Sequence, residues 1–125
     1  MRMKQVILTV VIVVTLASSA VTLRAQDPVK VDPKHYKVEF ENDAVRVLRI
    51  NYGPGEKSVM HYHPESLAIF VNDQKVKFTT PDGKSTEAEG KAGATKQMPA
   101  GAHLPENVGG KPMEVILVEF KDKHD

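Results

Sequence analysis

The chain has 125 residues, with no cysteine and no tryptophan, and 17 basic against 16 acidic side chains. That length predicts a single domain, and the lack of cysteine excludes disulfide bonds and the lipid-modified cysteine of a bacterial lipoprotein. Three basic residues lie within the first 25, so the rest of the chain has 14 basic against 16 acidic side chains. It contains no basic stripe with interleaved aromatic residues, and we expect no nucleic-acid partner.

Residues 1–25 have the order of segments that is typical of a secretory signal peptide. A basic start, MRMK, precedes the apolar run Val6–Ala17, and small residues follow. This run of 12 residues is shorter than the roughly 20 that a membrane-spanning helix needs. We predict an exported protein, periplasmic or secreted, with no membrane attachment once the chain is cleaved after Ala20 or Ala25. An uncleaved N-terminal anchor is the alternative, because apolar residues continue to Leu23.

Both ends of the remaining chain are polar. Residues 26–35 contain two prolines and are predicted to form a flexible leader, and residues 122–125 form a charged tail. His35 and His124 lie in these segments and are expected to be exposed rather than to bind a metal. The folded domain is therefore predicted to span residues 36–121.

Within that domain, apolar and polar residues alternate with a period of two, which predicts β-strands. Tyr36, Val38 and Phe40 are expected to share one face of the first strand, and the apolar run SLAIFV suits a strand buried on both faces. Strands are predicted at 36–41, 44–52, 57–63, 66–71, 75–80 and 113–120, with a weak edge strand at 85–90 and two short strands between 91 and 112. No stretch of ten or more residues has helical periodicity. The pattern predicts an all-β sandwich or barrel.

His61 and His63 stand one residue apart in the stretch VMHYHPES. On a strand, residues i and i+2 point to the same face, about 6.5–7 Å apart. Two imidazoles can then share a metal ion at distances of about 2.0–2.1 Å. Such a pair also arises by chance on a surface strand, so the pair alone leaves both interpretations open.

The flanking residues extend the pair into two longer motifs. Gly55 precedes His61 with five residues between them, and the later stretch GATKQMPAGAHLPEN runs from Gly93 to Asn107. Together they resemble the two motifs of the cupin family, G-x5-H-x-H-x3,4-E-x6-G and G-x5-P-x-G-x2-H-x3-N. The resemblance implies a double-stranded β-helix, a jelly-roll barrel, and most closely suggests a small exported single-domain bacterial cupin.

Transferred position by position, the resemblance makes His61, His63 and His103 the ligands of a divalent metal ion. Three neutral imidazoles suit Fe, Mn, Ni, Cu or Zn. Gly55 and Gly93 would supply tight backbone turns. The resemblance also implies a small-molecule ligand or substrate and a homodimer.

The sequence departs from the first motif at its glutamate, where Leu67 and Ala68 stand, and from the second by one residue. One interpretation is a site of three histidines alone, as in some cupin dioxygenases. In another, Glu65 reaches the metal, although a solvated carboxylate in a turn is the simpler expectation for it. In a third, the site is degenerate and empty. Asn107 is expected to close a turn or to orient His103 from behind.

A three-histidine site holding Fe(II) leaves positions open for a chelating substrate and O₂. One hypothesis is therefore a metal-dependent enzyme, a dioxygenase acting on a diketone, thiol or phenolic compound. The alternative is a non-catalytic cupin that binds a small ligand or a metal. No nucleophile competes with this chemistry, because the chain lacks cysteine and has no serine in a GxSxG elbow. The sequence assigns no catalytic residue.

Overall fold

The structure is a computed structural model that describes residues 3, 9–12 and 26–122. The predicted signal peptide, residues 1–25, lies almost entirely outside the described residues, and so do residues 123–125 of the tail. Among the residues that are described, no helix has the length and apolar character needed to cross a membrane.

The described chain is built from β-strands and one helical turn. The turn, α1, is Pro28–Val31, and the strands are β1 Tyr36–Glu41, β2 Val45–Tyr52, β3 His61–His63, β4 Ser66–Phe70, β5 Gln74–Thr79, β6 Ser85–Gly90, β7 Thr95–Met98, β8 Gly101–Asn107 and β9 Met113–Phe120. The all-β prediction is confirmed, including the two short strands in the Gly/Pro-rich stretch after β6.

The strands form two antiparallel sheets. The five-stranded sheet has the order β1-β2-β9-β4-β7, and the four-stranded sheet has the order β3-β8-β5-β6. The weak strand predicted at 85–90 is β6, and it lies at an edge as expected. The inward faces of the sheets form the core, which consists of Tyr36, Leu48, Ile50, Tyr52, Ala68, Val76, Met113, Val115 and Leu117.

The outer face of the five-stranded sheet carries a partly buried apolar patch beside the ion pair of Arg49 and Glu114. In β4, Ser66 and Ala68 are buried, whereas Leu67 and Ile69 alternate with them and remain partly exposed. The prediction that this strand is buried on both faces is therefore wrong. Its continuous apolar run reflects a packed inner face and an apolar outer face.

Strand β1 does not keep the expected alternation. Val38 pairs with Leu48, but Phe40 pairs with Val47, so the register shifts between them. Successive residues of β2 point to opposite faces of the sheet. The irregularity therefore places Phe40 on the outer face, 54% exposed. The prediction that Tyr36 and Phe40 share a face is wrong.

Residues 26–35 are folded onto the barrel, in contrast to the flexible leader expected from their composition. Asp27 caps α1, because its side chain accepts a hydrogen bond from the backbone N–H of Val29 at 3.0 Å. His35 is only 6% exposed, so the prediction of an exposed side chain is wrong. The polar composition misled because several of these polar side chains are hydrogen-bonded inside the protein.

Two glycines of the sequence motifs lie in turns that need them. Gly55 has a φ of +73° and Gly93 a φ of +80°. This left-handed region is costly for residues that carry a Cβ atom. The tight turns predicted at these positions are confirmed.

Gly90 in β6 lies against the ring of Phe70, and a Cβ atom built on it would be 2.6 Å from Cδ1 of that ring. We expect Gly90→Ala to lower the free energy of unfolding by about 1–3 kcal/mol, because overpacking forces neighbours apart. Urea denaturation measures this change. Gly101→Ala is the matched control, since a Cβ atom there meets nothing within 4 Å. Equal stability of Gly90→Ala and the wild type would contradict the packing.

Candidate metal centre

Three histidines meet inside the barrel where β3 pairs with β8. His61 lies opposite His103, and His63 lies opposite Gly101. His61 and His63 share a strand face, and both side chains are buried. One ring nitrogen from each of the three histidines lies within 4.8 Å of the others. The structure thus brings together the three residues that the sequence motifs single out.

The three rings stand edge to face rather than stacked. Their centroids are 4.8, 5.0 and 5.2 Å apart, and the ring planes cross at 75–90°. The Nε2 atoms of His61 and His103 are buried and have no hydrogen-bond partner among the described residues. Buried polar atoms are rarely left unpaired in proteins. A cation bound by these imidazoles would satisfy both atoms, so the donor set fits a divalent transition metal.

His63 is oriented by a buried carboxylate. Its Nδ1 lies 2.6 Å from Oε2 of Glu119, and Nε of Arg46 donates to the other oxygen of the same carboxylate at 2.7 Å. An ionised carboxylate only accepts hydrogen bonds, so Nδ1 of His63 must donate. The tautomer with its proton on Nδ1 leaves the Nε2 lone pair available to a metal.

His61 is oriented in the same way by oxygen atoms behind it. Its Nδ1 lies 2.9 Å from the carbonyl oxygen of Val59 and 3.1 Å from Oγ of Ser58. The carbonyl oxygen only accepts, so Nδ1 donates here as well. Ser58 in turn donates to Oδ2 of Asp32 at 2.6 Å. His61 therefore also presents its Nε2 lone pair to the cluster.

Aromatic side chains pack around the cluster. Phe78 stacks on the ring of His103, with centroids 5.0 Å apart. Tyr36 lies edge-on to His61 at 4.8 Å, and its hydroxyl is hydrogen-bonded to that of Tyr52 at 2.6 Å. His103 is thus positioned by ring packing, whereas the two histidines of β3 are positioned by hydrogen bonds.

Glu65 lies outside the cluster. Its side chain is exposed, and its carboxylate accepts a hydrogen bond from the amide of Gln97. Ala68, at one of the two positions expected for the motif's glutamate, lines the barrel cavity. The described residues therefore offer three histidines and no carboxylate as the ligand group.

Asn107 closes a turn, which is the simpler of the two expectations for it. Its amide nitrogen donates to three backbone carbonyl oxygens, and its amide oxygen accepts from the N–H of Gly109 at 3.1 Å. These bonds account for the side chain, and none of them reaches His103. Asn107 supports the loop before β9 rather than the ligand.

Sequence reasoning missed the residues behind the ligands. Glu119 could have been found, because it continues the buried positions Met113, Val115 and Leu117 along β9. A carboxylate at the buried phase of an apolar strand needs a partner. No comparable pattern marks Asp32 or Ser58, because neither lies in a strand with alternating buried positions.

A cavity of about 510 Å³ adjoins His63 and His103. Most of its walls are apolar, and they include Ile50, Phe70, Val76, Phe78, Met98, Met113, Val115 and Leu117. The polar lining groups besides the histidines are Ser66, Gln74 and the paired tyrosines Tyr36 and Tyr52, together with the exposed residues Thr80, Thr86, Glu87, Glu89 and Lys96. A cavity of this size and lining suits a small molecule with an apolar body.

Burial keeps two of the histidines neutral. Loss of solvation, followed by repulsion from the neighbouring histidines, lowers the pKa of His61 to about 4 and that of His103 to about 3. Neutral imidazole is the form that binds metals. Burial alone would raise the pKa of Glu119, but hydrogen bonds from His63 and Arg46 outweigh it and lower that pKa. Glu119 is therefore ionised at neutral pH.

The fold is similar to that of solved cupin proteins. A cupin domain from Bordetella pertussis Tohama I matches with a TM-score of 0.65 and 21% identity, over 70% of this chain and 92% of that one. An RmlC-like cupin family protein from Methanocaldococcus jannaschii matches with a TM-score of 0.53 and 20% identity, over 71% and 83% of the two chains. A variant of oxalate decarboxylase from Bacillus subtilis matches with a TM-score of 0.50 and 22% identity, over 65% of this chain and 22% of the enzyme.

At these identities the similarity establishes the fold. The protein has the double-stranded β-helix of cupins, and the resemblance noted in its two motifs is confirmed at that level. No family model matches the sequence, and no curated protein matches it.

Without metal, the free energy of unfolding should fall as the pH is lowered from about 6.5 towards 4. Histidines in the unfolded chain take up protons near the ordinary value of 6.5, whereas folded His61 and His103 do so only near 4 and 3. The unfolded state therefore binds more protons in this range, and stability rises with pH by at most about 1.4 kcal/mol per unit for each group. Urea unfolding of chelator-treated protein measures the slope. His103→Gln should make it shallower, and a stability that rises on acidification would contradict the shifts.

Proposed function

We propose that this cupin-fold protein binds a divalent metal ion through His61, His63 and His103 and presents it to a small molecule in the adjoining cavity. The observation that carries the proposal is the pair of buried Nε2 atoms on His61 and His103, which find no hydrogen-bond partner in the part of the chain that the structure describes. Leaving a buried polar group unpaired costs on the order of 1–3 kcal/mol. A cation would remove that cost and join the two sheet strands that hold its ligands.

The ligand set also suggests what the metal would attract. Three neutral imidazoles suit Fe, Mn, Ni, Cu or Zn, and they leave the charge of a divalent ion uncompensated. The nearby carboxylate of Glu119 is already paired with Arg46 at 2.7 Å. We therefore propose a ligand with an anionic or oxygen-rich end that faces the metal and an apolar body that fills the cavity.

The reaction that fits this arrangement best is of the dioxygenase type. Fe(II) in a three-histidine site would supply positions for a chelating substrate and for O₂. The chain's own part is to hold the substrate's apolar body against Phe70, Phe78 and Met98 and to exclude water. Tyr36 is no base for the reaction, because burial raises its pKa well above the usual value and it keeps its proton.

A non-catalytic cupin that binds a small ligand or a metal is the second candidate. It is favoured by the tyrosines beside the histidines in the cavity, because burial raises the pKa of both Tyr36 and Tyr52 and leaves neither as an acid or base near pH 7. Oxygen consumption separates the candidates. Substrate-dependent O₂ uptake by the iron-loaded protein, abolished in His61→Ala, supports the enzyme. Metal binding without uptake from any diketone, thiol or phenol supports the binding protein.

Removing one ligand tests the metal site directly. We expect His61→Ala to weaken Zn²⁺ binding by more than about 100-fold, because even residues behind metal ligands contribute 10–100-fold. Competition with a chromophoric chelator measures the dissociation constant. Glu65→Gln is the control and should bind Zn²⁺ as the wild type does, because Glu65 is exposed and outside the cluster. Equal affinity of His61→Ala and the wild type would overturn the proposal.

We also propose that the protein is exported and forms a homodimer through the outer apolar face of the five-stranded sheet. Val118 lies between Val47 and Leu67 at the centre of that face. The apolar residues on that face are Phe40, Val45, Val47, Leu67, Ile69, Ile116, Val118 and Phe120. Apolar surface that continues across four strands favours contact with a second copy, since the same face is presented by both partners of a two-fold dimer.

The mature protein should give a dimer in native mass spectrometry. The mass of its denatured chain should correspond to a first residue of Val21 or Gln26, the positions after the two predicted cleavage sites. Val118→Glu should yield monomers, because it places a charge in the centre of the outer face. Val59→Glu is the control, being 51% exposed elsewhere on the surface. A monomeric wild type, or a full-length chain outside the cytoplasm, would contradict the corresponding proposal.

A further inference from the structure

Two hydrogen-bonded chains lead from the segment before β1 to two of the three proposed ligands. One starts at Asp27 and ends on Nδ1 of His63, and the other starts at Asp32 and ends on Nδ1 of His61. We propose that residues 26–35, which we call the N-terminal clamp, hold these two histidines in the orientation that binds metal. This inference rests on the proposed metal site and assigns its affinity to a segment that contains none of its ligands.

The first chain is made of charged groups. Arg46 donates to both carboxylate oxygens of Asp27 at 2.8 and 3.0 Å, and through Nε to Glu119 at 2.7 Å. Glu119 accepts from Nδ1 of His63 at 2.6 Å through its other oxygen. A guanidinium is planar and its donors are fixed relative to one another. The position of Asp27 therefore determines the position of the carboxylate that orients His63.

The second chain is shorter and more deeply buried. Asp32 is 8% exposed and Ser58 is 6% exposed. Asp32 accepts from Ser58 Oγ at 2.6 Å and from Nδ1 of His35 at 2.7 Å. The ring of His35 stacks on that of Tyr52 with centroids 4.1 Å apart. This stacking restrains His35 and, through it, the carboxylate of Asp32. Ser58 is thereby held where its oxygen meets Nδ1 of His61.

The clamp is fastened to the barrel at both ends. The carbonyl oxygen of Gln26 accepts a hydrogen bond from the backbone N–H of Tyr62 at 2.9 Å, and the carbonyl oxygen of His35 accepts one from Asn51 at 3.1 Å. Tyr62 stands between the two ligands of β3. Within residues 26–122, no hydrogen-bonded chain of this kind reaches His103, which is packed against Phe78. The clamp therefore acts on the β3 ligands alone.

Substituting asparagine for the two aspartates tests the clamp. Asp27→Asn keeps an effective helix cap but removes the charge that holds Arg46. Asp32→Asn removes the charge that anchors Ser58. Asp43→Asn is the matched control, because Asp43 is exposed in the turn between β1 and β2. The probe is Co²⁺ alone, titrated into metal-free protein and followed by its visible absorption.

We expect Asp32→Asn to weaken Co²⁺ binding by about 10–100-fold, as for other residues behind metal ligands. Asp27→Asn acts through two intervening residues and should weaken it several-fold, and Asp43→Asn should leave it unchanged. The absorption spectrum of the bound Co²⁺ should also change in both clamp variants, because ligand orientation changes. Urea unfolding of each metal-free variant is measured alongside. A merely structural role would lower that stability but leave the dissociation constant and spectrum of the folded protein unaltered.

The outcomes separate the clamp from the metal site itself. A wild-type protein that binds no Co²⁺ overturns the proposed function. A wild-type protein that binds Co²⁺, with clamp variants of equal affinity and spectrum, overturns the clamp alone. Should Asp32→Asn fail to fold, Asp27→Asn and Arg46→Lys decide, since lysine keeps the charge of Arg46 but loses the fork that joins two carboxylates.

Discussion

The candidate centre depends on one strand pairing, that of β3 with β8. This antiparallel register places His61 directly opposite His103 and His63 opposite Gly101. Strand geometry gives side chains a period of two, so a slip of one residue would turn both β3 histidines away from the interior. His61 and His103 are 42 positions apart in the sequence, and the pairing of β3 with β8 makes them neighbours. A bridging metal would in turn stabilise the pairing that creates its site.

The environment of the cluster reconciles two opposing needs. A metal ligand must be neutral and must present a lone pair, whereas a buried imidazole needs partners for its polar atoms. Burial supplies the first by lowering the pKa of His61 and His103. The oxygens behind His61 and His63 supply the second, because they bind Nδ1 and leave Nε2 towards the cluster. His63 therefore faces the largely apolar cavity on one side and the carboxylate of Glu119 on the other.

Sequence reasoning recovered what depends on local spacing and missed what depends on long-range contacts. The strands follow from alternation, and the histidine trio is implied by the resemblance of the two motifs to those of cupins, because each of these patterns is expressed within a few residues. The hydrogen-bonded support behind the ligands is not visible in any short stretch of sequence, since Glu119 lies 56 residues from His63 and Arg46 lies 19 residues from Asp27. The expectation of a flexible leader failed for the same reason, because its polar residues find their partners on distant strands.

Gly101 has a consequence for how such a centre can diversify. It shares a strand face with His103, lies opposite His63 and lines the cavity, and a Cβ atom there meets nothing within 4 Å. An aspartate or glutamate at this position would have room for its Cβ atom on the face that carries His103. The carboxylate that cupin motifs place on β4 could thus be restored from the opposite sheet, converting a neutral tripod into an anionic four-donor set by a single codon change.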